Sequence, residues 1–385
     1  MPNTNRLQWV KYMIYADHAA TTQLAPEALN AMMPYLTSQY SNASQPYLFA
    51  RKTKKALQSA RETIAKCIHA QPEEIFFTSG GTESDNWALK GIMYVYGDYR
   101  ALITSQIEHH AILHAAAAIE RLGYPVVYLP VDREGTVLPR KLEEVISEGT
   151  KLVSIMLANN EVGTVQPIRE LADIAHKKGS LFHTDAVQAL GHIPVDVDTL
   201  GVDLLSASAH KFNGPKGVGF LYVRKGTQIT PLNDGGAQEF GLRAGTENVA
   251  SIVGMAEALR VNCEAMQSNT SHILSLENQL LSQLKAYGLN FQRNGNINHI
   301  PGNISLSFHN SEGEMLLHRL DLKGICVSTG SACDSKNTQI SHVLRAMDVP
   351  EDYAKGTIRI SLGAENTIAD VEKIANAIYG ILRQS

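Results

Sequence analysis

The sequence predicts an α/β protein in which a mainly parallel sheet is covered by helices and a smaller α+β domain follows. Three observations predict it. Short β-rich runs alternate with helix-patterned segments from about residue 22 to 255, a long helical pattern comes next, and the last third mixes brief strands with a closing helix. Taken in order, EEIFFTSG precedes SDNWALKGIMYVYG, ALITSQ precedes HHAILHAAAAIERLG, and KLVSIMLANN precedes QPIRELADIAHKKG. Repeated strand–helix units of this kind build parallel sheets, because parallel neighbours need a long crossover. Further strands are expected at SLFHTDAV, DLLSASAH and VGFLYVRK. Only KFNGPKG separates the last two, too little for a crossover helix, so VGFLYVRK is expected to return antiparallel. After about residue 255 a helix is expected from VGMAEALRVNCEAM through ILSLENQLLSQLKAYG; NISLSF, GICVS and TIRISLG read as strands and IADVEKIANAIYGILRQS as the last helix. The expected division is a large α/β domain over 22–255, a small α+β domain over 13–21 plus 256–385, and an extension over 1–12.

Composition bounds the function. The 385 residues are 44% apolar and 19% charged, a folded composition too large for a disulfide-stapled module. Lys and Arg number 34 against 38 Asp and Glu, with no long like-charge block, so no nucleic acid partner is expected. No apolar stretch reaches the roughly 18 residues of a membrane span, and MPNTNRLQWVKYMIY lacks a signal-peptide core. A cytoplasmic location without membrane contact is expected. The four cysteines, Cys67, Cys263, Cys326 and Cys333, form no CxxC pair, which points to a reducing compartment and away from a zinc knuckle.

Ligands of doubly covered sheets sit beyond the carboxyl ends of the strands, so residues just after each strand are the candidates for chemistry. TSGGTES puts Gly80, Gly81 and Thr82 between a strand and a helix, where backbone N–H groups hold a phosphate; alone, it reads equally as a Gly-rich turn capped by Thr82 or Ser84. HTDAVQ ends one strand at Asp185 and SASAHK ends another at Lys211, so both are expected at one sheet edge. A lysine among small and apolar residues is poorly solvated and suited to a Schiff base, and an aspartate there pairs with a protonated ring nitrogen. Together with a phosphate cradle these are the requirements of pyridoxal 5'-phosphate.

These residues also carry a resemblance. YADHAATT, TSGGTESDN, ANNEVGTVQPI, HTDAVQALG, SASAHKFNGPKGVGFLYVR, GLRAGTEN and STGSAC resemble the cysteine desulfurases of the NifS and IscS kind, which are class V aminotransferase-like, fold-type I pyridoxal phosphate enzymes. The likeness runs from about Tyr15 to the last helix. It implies Lys211 as the cofactor-bound lysine, Asp185 at the pyridine nitrogen, and His109 stacked on the ring and available for acid–base work. Asn160 and Gln188 are implied at the phenolic oxygen, and Gly81, Thr82, Ser208 and His210 at the phosphate. Thr246 is implied to reach the phosphate of a partner subunit, which makes a homodimer with shared sites the expected assembly. Arg359 is implied as the ligand of the substrate carboxylate, assisted by Asn42 and Asn160. In NASQPYLFAR, Ala43, Tyr47 and Ala50 stand where relatives commonly have proline, histidine and glycine.

Cys333, surrounded by small residues in STGSACDS, resembles the desulfurase nucleophile, whereas Cys67 and Cys263 in helical patterns and Cys326 in a β-like run read as structural. His110 and His114 fall four apart on a helix, the spacing of metal ligands, but the HExxH context is absent and no metal is expected. The implied reaction converts L-cysteine to L-alanine and leaves the sulfur as a Cys333 persulfide for an acceptor protein, an iron–sulfur scaffold or a thiolation enzyme. A selenocysteine lyase, a class V aminotransferase and a non-enzymatic cofactor-binding regulator are the alternatives.

Overall fold

The computed structural model describes residues 13–95, 100–330 and 340–383. The 1–12 extension and Cys333 therefore lie outside the described residues.

Seven strands form the main sheet: β2 (Ile75–Thr78), β3 (Ala101–Ser105), β4 (Val126–Leu129), β5 (Thr150–Ser154), β6 (Leu181–Asp185), β7 (Leu204–Ser208) and β8 (Gly219–Val223). Their spatial order is β2-β8-β7-β6-β5-β3-β4, and every adjacent pair is parallel except the two made by β8. The sheet is mixed but mostly parallel, as the sequence predicts. β8 does return antiparallel, and it does so between β7 and β2 rather than at an edge. Strands β5, β7 and β8 are buried at every residue, which is what short apolar runs become when helices cover both faces.

Helices α1 (Pro26–Thr37), α2 (Ala50–Cys67), α3 (Gly81–Met93), α4 (His110–Arg121), α5 (Pro139–Val145), α6 (Ile168–Lys177) and α7 (Val197–Leu200) pack against this sheet or its margins. The apolar spacing in the sequence decides which face each one buries. Helix α3 turns Trp87, Ala88, Leu89 and Ile92 inward, and α4 buries Ile112, Ala115, Ala116 and Ile119 in the same cluster.

Helix α8 (Val249–Ala286) is 38 residues long, about 57 Å at 1.5 Å per residue. It starts a turn earlier than its sequence pattern predicts, because the Asn248 side chain accepts from Ser251 N and supplies the cap. Its first turns bury Ile252, Met255 and Leu259 in the core under the main sheet, and its last turns bury Ile273, Leu276, Leu280 and Leu284 in a second cluster. That second cluster lies on a three-stranded antiparallel sheet of β9 (Phe291–Asn294), β10 (Asn303–Phe308) and β12 (Thr357–Ser361). A two-residue strand, β1 (Ile14–Tyr15), pairs with β11 (Ile325–Cys326) and delivers Asp17 to Thr21 toward the main sheet. Helices α9 (Gly313–Asp321), α10 (His342–Ala346), α11 (Glu351–Ala354) and α12 (Ile368–Leu382) complete the chain. Among the described residues, no helix is long and apolar enough to cross a membrane.

Candidate active site

Beyond the carboxyl ends of β2, β5, β6 and β7 lies a cleft of about 500 Å³, closed from the other side by Ala19–Thr21 and by Arg359 of β12. It gathers most of the residues singled out in the sequence. Gly81, Thr82, His109, Asn160, Asp185, Gln188, Ser208, His210, Lys211 and Arg359 all line it.

The turn from β2 into α3 is built for close approach. Gly80 has φ 146°, a left-handed-side conformation that favours glycine, and a Cβ on Gly81 would lie 2.7 Å from Val187 Cγ2. The N-terminus of α3 therefore opens directly into the cleft, with the exposed Thr82 hydroxyl and the buried Ser208 beside it. Glu83 accepts from Ser79 N at 2.7 Å and is met by Arg243 at 2.8 and 3.0 Å, so its charge is paired next to the cradle. His210, bonded to Thr21 at 3.1 Å, is held down to about 4 by burial and by the nearby Lys211 and Lys216, and is neutral at pH 7.

Lys211 sits in the turn after β7, and its Nζ donates to the carbonyls of Ala19 at 2.6 Å and Ala20 at 2.9 Å. Its own carbonyl bonds His192 Nε2 at 2.8 Å, which fixes the backbone under the side chain. Asp185 ends β6 with 5% of its surface exposed; burial raises it to about 6, opposed by Val187 N at 2.9 Å and by Lys211. His109 caps α4, its Nδ1 accepting from Ala111 N at 3.1 Å, which leaves the ring proton on Nε2. Burial first, then the Lys211 charge, holds His109 down to about 4. Gln188 lines the cleft and its amide donates to Ala19 O at 3.0 Å.

Arg359 is 3% exposed and spans both halves of the molecule. Nη2 donates to Asp17 at 2.8 Å and Nη1 to the Asn160 carbonyl at 2.9 Å, while Nε is buried with no hydrogen-bond partner among the described residues. A buried, unpaired guanidinium N–H at a cleft wall is the donor an anionic group would satisfy.

Asn42 is not brought to the cleft: it is exposed and its side chain accepts from Ser44 N at 2.9 Å. Thr246, implied to serve a partner subunit's site, is exposed on a loop outside this chain's own lining. His110 and His114 do face each other, ring centres 5.1 Å apart, with His342 5.0 Å from His110; among the described residues no group of three His, Cys, Asp or Glu is arranged to hold a metal. Cys67 and Cys263 pack against the main core from α2 and α8, and burial raises the half-buried Cys326.

Sequence reasoning missed a polar layer beneath the site. Asp85 of α3 lines the cleft 1% exposed, with Oδ1 unpartnered, and burial followed by the charge of Asp185 pushes it well above the carboxylate range. Glu108, fully buried, accepts from Ser105 Oγ at 2.5 Å and Met156 N at 3.1 Å, and burial raises it to about 8. His183 lies between Ser154 Oγ at 2.8 Å and Ser206 Oγ at 3.0 Å. The available signal was Asp85 sharing the inward face of α3 with Gly81, Ala88, Leu89 and Ile92.

A glycine turn that leaves room for an anion, a lysine and an aspartate at one sheet edge, and an arginine with an unpaired buried N–H in the wall together fit pyridoxal 5'-phosphate, so fold and site define a fold-type I enzyme of that cofactor. The class-V aminotransferase family model matches residues 14–374. The cysteine desulfurase IscS of Dictyoglomus turgidum is 48% identical over 377 residues, 97% of this chain and 96% of that protein. That of Methanosarcina thermophila is 45% identical over 372 residues, 96% and 92% of the two chains. Among solved structures, a NifS-like protein superposes with a TM-score of 0.91 at 40% identity, covering 97% of this chain and all of that one. A structure of SspA in complex with cysteine gives 0.81 at 35%, covering 92% and 100%. The chain belongs to the class-V aminotransferase family and, within it, to the cysteine desulfurases of the IscS and NifS-like kind. It uses the family's cofactor, pyridoxal 5'-phosphate.

Proposed function

We propose that this protein is a cysteine desulfurase that releases L-alanine from L-cysteine and holds the sulfur as a persulfide on Cys333 for transfer to an acceptor protein of iron–sulfur cluster assembly or thiolation. The observation that carries the reading is one cleft containing Lys211, Asp185 and the cradle of Gly81, Thr82, Ser208 and His210, with Arg359, whose buried Nε has no hydrogen-bond partner among the described residues, in its wall.

Gly81, Thr82, Ser208 and His210 would hold the cofactor phosphate, Asp185 the pyridine nitrogen, Asn160 and Gln188 the phenolic oxygen, and Lys211 the aldehyde, with His109 against the ring. When bound, the cofactor supplies an electron sink for the pair released at the substrate Cα. Arg359 binds the substrate carboxylate and orients Cα toward Lys211, which moves the Cα proton. His109, neutral at pH 7 with Nδ1 engaged by Ala111 N, presents its Nε2–H as a donor toward the substrate sulfur, and Nε2 is the ring nitrogen left to relay protons there. The Cys333 thiolate attacks that sulfur; an S–S bond forms as the Cβ–S bond breaks, its electron pair stays on carbon, and a proton completes the methyl group of alanine. Sulfur and electrons balance between one cysteine and one thiol on one side and one alanine and one persulfide on the other.

A homodimer with Thr246 reaching the partner's cofactor phosphate completes the reading. Apolar residues left exposed, Leu36 at 57% on α1, Leu48 at 73% in the following loop and Phe240 at 62%, six positions before Thr246, support it. Free thiols at Cys67, Cys263 and Cys326 support a reducing, cytoplasmic setting.

The test is mass spectrometry of the holoenzyme after L-cysteine under non-reducing conditions, with alanine quantified and Cys333→Ser as control. Alanine together with a sulfur adduct confined to the Cys333 peptide is expected. Amino-group transfer to an oxo acid, or an adduct that survives in Cys333→Ser, would overturn the reading.

A further inference from the structure

A carboxylate outside the set described above joins two points of the chain. Glu161, 3% exposed, follows Asn160 in a turn fixed by the Asn159 side chain, which accepts from Glu161 N at 2.8 Å and Val162 N at 3.0 Å and donates to Ile107 O. Glu161 Oε2 accepts from Ser341 Oγ at 2.5 Å, a short charge-assisted bond. The same Oε2 lies 3.0 Å from where a Cβ would sit on Gly330, whose φ of 120° already favours glycine. Gly330 immediately precedes 331–339, the stretch of sequence that includes Cys333, and Ser341 follows it one residue beyond Ile340.

The frame continues into the cleft. Ser328 pairs with Arg359 through both backbone groups, N to O at 3.0 Å and O to N at 2.6 Å, and the Ser328 hydroxyl bonds Gly330 O at 3.2 Å. Arg359 in turn donates to the carbonyl of Asn160, the neighbour of Glu161. Beyond Ser341, whose hydroxyl also caps Val343 N at 3.0 Å, Val343 and Leu344 pack with Ile107 and Val162. A chain of contacts therefore runs from Ser341 to Glu161 and on through Asn160, Arg359 and Ser328 to Gly330.

We propose that Glu161 is a positioning residue for the sulfur-accepting thiol: it ties Ser341 to the frame that holds Arg359 and, through Ser328, Gly330, and so sets the starting points from which Cys333 meets a substrate bound there. The inference rests on the desulfurase reading. A carboxylate suits the task because its oxygen accepts the hydrogen bond of the serine hydroxyl while glycine opposite leaves it room, and displacing a reacting atom by about 1 Å costs on the order of 100-fold in rate.

The test uses the holoenzyme and its Glu161→Ala, Glu161→Gln and Ser341→Ala variants. Single-turnover formation of the Cys333 persulfide is followed by quenched mass spectrometry, and amino-acid binding by the change in cofactor absorbance on titration with L-alanine. Glu161→Ala and Ser341→Ala are expected to slow persulfide formation about 10- to 100-fold with L-alanine affinity unchanged. Glu161→Gln, which keeps an oxygen for Ser341, is expected to recover most of the rate. Wild-type rates in Glu161→Ala, or equal impairment in the Gln variant, would overturn the proposal; if Glu161→Ala does not fold, Ser341→Ala decides. Absence of alanine and persulfide in the wild type would instead refute the desulfurase reading itself.

Discussion

Replacing Arg359 by lysine keeps the positive charge and removes the planar fork. The arginine carries three donor sites: Nη2 bonds Asp17, Nη1 bonds the Asn160 carbonyl, and the buried Nε has no hydrogen-bond partner among the described residues. A lysine ammonium has three donors on one atom and cannot serve two fixed acceptors while presenting a third N–H where Nε stood. Losing one charge-assisted bond to the substrate carboxylate costs about 2 kcal/mol, which at about 1.4 kcal/mol per decade is roughly 30-fold in kcat/KM. Because that contact is made equally in the ground and transition states, the loss belongs in KM rather than kcat. Initial rates of alanine formation against L-cysteine concentration measure the split. Titrations of cofactor absorbance with L-alanine and with a simple amine lacking a carboxylate isolate the contact, since only L-alanine should bind more weakly to Arg359→Lys. An unchanged KM, or equal weakening of both ligands, would refute the assignment and leave Arg359 as a brace between Asp17 and Asn160.

Two further outcomes follow from burial and exposure. Glu108 is raised by burial from 4.5 to about 8, so between those values the folded chain keeps a proton the unfolded chain has released, and its contribution to stability declines as pH rises through that window. Glu108→Gln, measured by calorimetry, should gain Tm relative to wild type from pH 5 to pH 9; a difference independent of pH refutes the assignment. Leu36→Asp with Leu48→Asp should convert a dimer to monomers in sedimentation and lower cofactor content, since Thr246 then has no partner to serve; a wild type that already sediments as a monomer removes the dimer from the proposal.

Much of the cleft was legible because strand ends announce themselves. The runs ending in Asp185 and before Lys211 are short, open on two large apolar residues and are followed by an alanine, and consecutive strands of this kind tend to be neighbours, as β6 and β7 are. The Gly80–Gly81 turn was legible for the same reason. Asp85 and Glu108 were not, since a buried acid inside a helix or beside a histidine pair looks in sequence like a solvated one; only the packing of Ala88 and Ile92 around it tells them apart. Arg61 and Glu239 make a buried pair at 2.7 Å across 178 positions, with Phe77 N donating to the same carboxylate, and nothing local in KKALQSARETIA or GGAQEFGLR marks the partnership. The insertion of β8 between β2 and β7 was equally hidden, because the antiparallel turn fixes one neighbour and leaves the other free. Glu161 went unnoticed within ANNEVG because its partners, Gly330 and Ser341, lie some 170 to 180 positions downstream.

The place of β8 has a consequence for how the chain is made. β2 has one neighbour, β8, and their pairing of Ile75 with Tyr222 through Thr78 with Gly219 spans more than 140 positions. During synthesis the strand that leads into the glycine turn waits without a sheet partner until residue 223 has emerged, and joining ends so far apart is slow because loop closure must precede any gain from contact. An acid like Asp85, harmless once enclosed, spends that interval in water and ionised. Holding β2 ready is then the task of its own neighbourhood, Arg61 stacked 4.3 Å over Phe77 and bonded to the Ile75 carbonyl, while Glu239, still later in the chain, arrives after β8 to lock the edge. The anion pocket is thus among the last parts of the main sheet to exist, and a nascent chain has no means of capturing its cofactor before that edge has closed.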